Sequence, residues 1–100
     1  MPKILIACAS SIATSTMVAS VIRDELYDRG YEVNTIQCAF AQLGSKIDEI
    51  KPDLVLTTGK YNFDESAPPH LLATPILTGI GKEDLLQKII TILFEEKKEN

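Results

Sequence analysis

The sequence predicts an α/β fold, an open sheet of four parallel strands with helices on both faces, and three observations carry that prediction. Strand-length apolar runs alternate with stretches of helical spacing over the 100 residues, and right-handed crossovers then lay each helix against the sheet. The runs Ile4-Leu5-Ile6-Ala7 and Leu54-Val55-Leu56 are apolar at consecutive positions, as strands covered on both sides must be. Gly30, Pro52 and Gly79-Ile80-Gly81 punctuate the joins. An order of 2-1-3-4 is expected, with the first strand central, in a Rossmann-like three-layer arrangement. A hydrophobic content of 45% suits one modest core, so residues 1–100 are expected to form one domain.

The first strand spans about Lys3 to Ala7. From about Thr14 to Arg29, Val18, Val21, Ile22 and Leu26 share one helical face, while Arg23, Asp24, Glu25 and Asp28 face water. Gly30 stops that helix in the left-handed conformation, and Tyr31 to Cys38 reads as the second strand. A short helix follows with Leu43, Ile47 and Ile50 inward, weakened at Gly44 and ended at Pro52. Leu54 to Thr57 is the third strand. Between Gly59 and Thr74, the residues Asn62, Asp64, Ser66 and Pro68-Pro69 oppose a long helix and predict a loop with one short turn. Pro75-Ile76-Leu77-Thr78 is expected as the fourth strand. A last helix then places Leu86, Ile89, Ile90 and Leu93 inward, and Glu95 to Asn100 is a polar, frayed tail.

The formal net charge of −4 opposes binding to nucleic acid or to an anionic membrane, both of which select basic surfaces. No run approaches the roughly 20 consecutive apolar residues of a bilayer-spanning helix. Met1-Pro2-Lys3 leads into a strand without signal-peptide architecture. A cytoplasmic location is therefore expected, where Cys8 and Cys38 stay reduced. Neither cysteine nor His70 has paired metal-ligand spacing, and no metal or cofactor is expected.

In an open parallel sheet ligands bind beyond the carboxyl ends of the strands, and Cys8 stands there, just past the first. After it, Ala9-Ser10-Ser11-Ile12-Ala13-Thr14-Ser15-Thr16 is small and hydroxyl-rich and opens into the helix. Free N–H groups at a helix N-terminus attract anions, favour a thiolate and can hold the oxygens of a phosphoryl group. Cys8 is thus a candidate nucleophile that becomes phosphorylated, with Ala9, Ser10, Ser11, Ile12, Ala13, Thr14 and Ser15 as the phosphate-binding loop. Thr16 is expected to cap the helix or face solvent. Small cysteine phosphatases share this order of strand, cysteine, loop and helix, but place an arginine six positions after the cysteine, where this chain has Thr14. Without the guanidinium, a phosphatase loses its bidentate clamp on the transition state. A phosphoryl carrier is the leading reading. A low-molecular-weight cysteine phosphatase-like enzyme and a noncatalytic phosphate-binding regulatory module are the alternatives.

The stretch Ile6-Ala7-Cys8-Ala9-Ser10-Ser11-Ile12-Ala13-Thr14-Ser15-Thr16-Met17-Val18-Ala19 resembles the phosphorylation loop of IIB components of the bacterial phosphoenolpyruvate-dependent sugar phosphotransferase system, galactitol type. The resemblance covers the whole chain, including the Thr57-Thr58 end of the third strand and the Pro75 to Gly81 segment, and Ala13-Thr14-Ser15-Thr16 is its most specific part. Such loops often carry glycine directly after the cysteine, whereas this chain has Ala9 and Ser10. IIB types for cellobiose-like or ascorbate-like sugars tend to have a Gly-Met pair where this chain has Ile12-Ala13. The resemblance implies a phosphotransferase in which Cys8 accepts phosphate from a phosphohistidine of the IIA protein. It then passes the group to a sugar or sugar alcohol, galactitol-like, bound in the membrane permease IIC. IIA, IIC and that substrate are the implied partners, and the chain would visit the membrane through IIC.

Cys38 is expected to pack, with a lesser alternative as an adventitious redox partner of Cys8. His70 is expected as an exposed loop residue without a carboxylate partner, and Asp64 and Glu65 as solvated loop charges. Thr57-Thr58-Gly59 should share the sheet edge of Cys8, within reach of a partner, with Lys60 a surface lysine nearby.

Overall fold

The computed structural model describes residues 2–8, 12–63 and 67–95. Its elements are β1 (Lys3–Cys8), α1 (Ile12–Asp28), β2 (Asn34–Ala39), α2 (Phe40–Ile50), β3 (Leu54–Thr57), β4 (His70–Leu72), α3 (Thr74–Thr78) and α4 (Lys82–Ile90), with a π-helical turn over Thr91–Glu95. The four strands form one parallel sheet, as the alternation predicted, in the expected order β2-β1-β3-β4.

Successive side chains of a strand leave on opposite faces, so the unbroken apolar runs feed two cores. Ile4, Ile6, Leu54 and Leu56 pack beneath Val18, Ile22 and Leu26 of α1 and Leu86 and Ile89 of α4. Leu5, Ala7, Cys38 and Val55 pack beneath Leu43 of α2. Helices thus cover both faces. Each of the fully buried leucines and isoleucines contributes about 2 kcal/mol by removal from water.

Gly30 ends α1 as its position predicted. It sits at φ 89°; its N–H donates to the Tyr27 carbonyl at 3.0 Å, and the Tyr31 N–H donates to Leu26 at 2.8 Å. That pair of bonds is a Schellman stop, and the left-handed residue in it is nearly free of cost only for glycine. Because the Tyr31 amide is committed to the helix end, β2 begins later than expected, at Asn34, whose N–H donates to the Pro2 carbonyl at 2.8 Å. Gly44 does not break α2, which runs to Ile50 and closes on Lys51 just before Pro52.

The fourth strand is not where the sequence placed it. Pro75-Ile76-Leu77-Thr78 lies in the short helix α3, and the strand is His70–Leu72, inside the segment expected to be a loop. Proline lacks an N–H and fits the first turn of a helix, where that donor has no partner, and Gly79 at φ 84° closes the same helix. Pro68-Pro69 brings the chain in extended, with the Pro69 carbonyl accepting from the Val55 N–H at 2.9 Å. After Ile90 the chain continues through the π-helical turn, which keeps Leu93 buried. The expected tail beyond Glu95, and Asp64, Glu65 and Ser66, lie outside the described residues.

Candidate functional site

β1 is flanked on both sides, and Cys8 is its last residue. Alternation puts Cys8 on the face of Ile4 and Ile6, the face that α1 covers. On one side it pairs with Ala39 of β2. On the other, the Thr58 N–H donates to the Ala7 carbonyl at 3.1 Å and carries the line of β3 past Thr57, bringing Thr58 alongside Cys8. The expected common edge of Thr57, Thr58 and Cys8 is therefore present. Thr57 is 2% exposed and faces the other core with Val55, which leaves Thr58 as the residue on the cysteine's face. Cys8 is itself 4% exposed.

α1 opens at Ile12, earlier than the sequence indicated, and so takes in much of the predicted loop. Ile12, Ala13, Thr14 and Ser15 belong to its opening turn, where the first backbone N–H groups have no partner within the helix. Ala9, Ser10 and Ser11, also expected to bind phosphate, lie outside the described residues. The first turn of α1 holds no carboxylate, so nothing there neutralises the positive end of the helix or repels an anion.

Thr16, expected to cap the helix or face solvent, lies in the second turn of α1 and is exposed. Its hydroxyl donates to Oε1 of Gln37, in β2, at 2.9 Å. Sequence reasoning missed Gln37; the available signal was an uncharged amide inside a strand, at a position where an apolar side chain would cost less to cover.

Of the two arginines of the chain, Arg23 sits in the later part of α1 and Arg29 directly follows its end. Arg23 reaches Thr35 Oγ1 at 3.4 Å, and Arg29 pairs with Glu83 at 2.7 Å and Glu25 at 3.5 Å. Arg23 lies about 16 Å along the helix from Ile12 at 1.5 Å per residue. The guanidinium clamp of a phosphatase is thus missing in space as well as at Thr14.

The second cysteine stands apart. Cys38 pairs with Ala7, one rung before the Cys8–Ala39 pair, so the two thiols leave the sheet on opposite faces, and neither is in a disulfide. That geometry removes Cys38 as a redox partner. It is 3% exposed among Leu5, Ala7, Leu43 and Val55, and burial pushes its thiol up from the ordinary value, against a weaker pull from Lys46.

His70 is exposed, as expected, but opens β4 instead of lying in a loop. It pairs with Val55, two strands from Cys8 and on the other face. Its ring stacks on Phe63 with centroids 3.8 Å apart, and Nδ1 lies 3.1 Å from the Pro68 carbonyl. Phe63 continues through Tyr61 to Phe40, an aromatic row on the α2 side of the sheet that the sequence did not reveal. Among the described residues, no helix is long and apolar enough to cross a membrane.

Comparison with known proteins agrees with this arrangement. Residues 3–89 match the family model described as "PTS system, Lactose/Cellobiose specific IIB subunit". The galactitol-specific EIIB component of the PTS system of Escherichia coli K12 is 35% identical over 91 residues, covering 91% of this chain and 95% of that protein. The galactitol-specific EIIB component of Shigella flexneri is 33% identical over the same shares of the two chains. A cysteine at the end of a central parallel strand, beneath an arginine-free helix start, thus comes with matching sequence along nearly the whole chain, which belongs to the IIB family of the sugar phosphotransferase system and is a phosphotransferase.

Proposed function

We propose that Cys8 is the residue that carries the phosphoryl group, taking it from a phosphohistidine of IIA and giving it to a galactitol-like sugar alcohol held in IIC. The supporting observation is the placement of Cys8, at the end of β1 and on the face covered by α1, with no arginine within reach. In the first step the thiolate attacks phosphorus in line, the S–P bond forms as the P–N bond breaks, and the imidazole leaves. In the second a hydroxyl oxygen of the sugar alcohol attacks from the opposite side, its proton passes to a base, and the S–P bond breaks to return the thiolate. Backbone N–H groups in the region of Ile12 to Ser15, with Ala9, Ser10 and Ser11, hold the transferring oxygens by neutral donors. Such a cradle stabilises phosphocysteine without the charge-assisted grip that would make onward transfer uphill.

The 4% exposure of Cys8 sets a condition on the donor: covering atoms must yield before a histidine on another protein can align with the sulfur. The chain works in the cytoplasm and meets the membrane only through IIC. The names of the relatives favour galactitol over a disaccharide as the final acceptor.

Intact-mass measurement after mixing with phosphorylated IIA tests the reading. One phosphate is expected on the native chain and none on Cys8→Ser, and the native adduct should discharge when membranes bearing the matching IIC receive galactitol. An adduct that persists in Cys8→Ser would overturn the assignment, as would sustained hydrolysis of p-nitrophenyl phosphate. Discharge by cellobiose alone would overturn the choice of substrate.

A further inference from the structure

We infer that Gln37 is a positioning residue for phosphoryl transfer, acting through Thr16 to set the rotation of the opening turn of α1 over Cys8. The inference rests on Cys8 as the phosphoacceptor and adds a residue from the neighbouring strand β2.

The argument starts from what anchors the helix. Val18, Ala19, Ile22 and Leu26 bury one face of α1 against the sheet, whereas Thr16 and Met17 are exposed. The residues at the start of the helix must nevertheless be held closely, because an anion cradle works only if its N–H groups point at the place where charge gathers. The Thr16–Gln37 bond of 2.9 Å joins this end of α1 to a strand 21 residues further along the chain.

Gln37 is well placed for that task. It pairs with Ile6, so it lies on the face of Ile6 and Cys8, one strand away and two residues short of the Cys8–Ala39 rung. Thr35 shares that face, two residues before Gln37, and receives the longer bond from Arg23 at 3.4 Å. Thr16 and Arg23 are seven residues apart, about two helical turns, and so sit on one side of α1. Thr35 and Gln37 are two residues apart on β2, where side chains repeat on the same face. Two polar ties therefore run side by side from one flank of the helix to one face of the strand. A helix fixed along such a flank cannot roll about its axis, and roll is the motion that would swing its first N–H groups away from the sulfur. The tie nearer Cys8 is the shorter and the better formed, since 3.4 Å is beyond the usual hydrogen-bond range.

The test is single-turnover transfer from phosphorylated IIA at increasing IIA concentration, on the full chain. Gln37→Leu, which removes the acceptor, and Thr16→Val, which removes the donor, are each expected to lower the maximal rate about tenfold with the half-saturating IIA concentration unchanged; Thr16→Ser, which keeps the hydroxyl, should recover most of the rate. The double variant should be no slower than either single one, because either substitution alone already removes the Thr16–Gln37 bond. Should Gln37→Leu fold poorly, Thr16→Val at an exposed helical position gives the same reading. An unchanged maximal rate in Thr16→Val would overturn the inference, as would a loss confined to the half-saturating concentration, or losses that add in the double variant. Cys8→Ser run alongside separates the two claims: phosphate on that variant defeats the phosphoacceptor, whereas its absence together with a normal rate in Thr16→Val defeats only the role of Gln37.

Discussion

Cys8 and Cys38 occupy neighbouring rungs of one β ladder and are buried to nearly the same degree, 4% and 3% exposed, yet their surroundings differ in kind. Cys38 points into an apolar cluster under α2, where burial disfavours an ionised thiol more than the charge of Lys46 favours it. Cys8 points to the face under α1, a helix of 17 residues whose first turn carries no acidic side chain. Solvent exposure does not distinguish the two thiols. The helix that each of them faces does, and a shift of one residue along the strand exchanges one environment for the other.

The sharpest way to break this contrast is to exchange the thiols one at a time. Cys8→Ser should abolish phosphate transfer, since an alcohol at that place stays protonated at neutral pH. Cys38→Ala should retain transfer from IIA within about twofold and cost about 1 kcal/mol in chemical denaturation, the loss typical of a small buried group. A transfer-dead Cys38→Ala that still folds would show that the two environments are not functionally separate.

A core substitution tests the same division by packing. Leu43 is fully buried against Cys38 and its neighbours. Leu43→Ala should cost about 3 kcal/mol by cavity formation. Where alkylation of Cys38 proceeds through opening of that core, its rate should rise about a hundredfold, at tenfold per 1.4 kcal/mol. Phosphate transfer under native conditions should persist. Mass spectrometry after a timed pulse of iodoacetamide gives both numbers, and a Leu43→Ala protein in which Cys38 stays inert would mean that α2 is not what shields it.

Alkaline pH gives a smaller effect of defined sign. Burial raises the Cys38 thiol in the folded chain, so the unfolded chain gives up its proton first, near the ordinary value of 9.0. Stability contributed by the neutral thiol is present below that pH and declines as pH rises from 9.0 toward the folded value. The melting temperature of the native chain should therefore fall faster above pH 9.0 than that of Cys38→Ala, and parallel curves would remove the burial argument.

The Cys8 side of the comparison was legible in the sequence because its signals are local. An apolar run, a cysteine, a string of small residues, a helical repeat and Gly30 follow one another with nothing between. β4 was not legible, since His70 and Leu72 are exposed and Leu71 alone faces the core beneath α1 and α4, a pattern too short to register. It is a strand because Val55, Leu56 and Thr57 offer an open ladder edge. The β-like composition of Pro75 to Thr78 lost to the fit of Pro75 in a first helical turn and of Gly79 at its end. Gln37 was hidden for another reason: nothing beside it in the chain announces a hydroxyl 21 positions earlier.

The smallest effect belongs to the other end of α1, and it marks how far the site extends. Lys82 donates to Glu25 at 3.1 Å, and Arg29 bridges Glu25 and Glu83, tying the later part of α1 to the start of α4. The bond and charge of Lys82, with help from Arg29, hold the Glu25 carboxyl below its ordinary value of 4.5. A depressed acid stabilises the fold above its unfolded value and loses that contribution as pH falls through the folded one. Melting curves of the native chain and Glu25→Gln should thus differ slightly near neutral pH and converge in acid well below 4.5, with the gap shrinking in high salt because these groups are solvent-screened. Transfer from IIA should be the same in both. If the cradle is steered from the Thr16 end, loosening the Glu25 end leaves it aimed; a Glu25→Gln protein with slowed transfer would mean that α1 pivots as one rigid rod and that its far salt bridges belong to the catalytic apparatus.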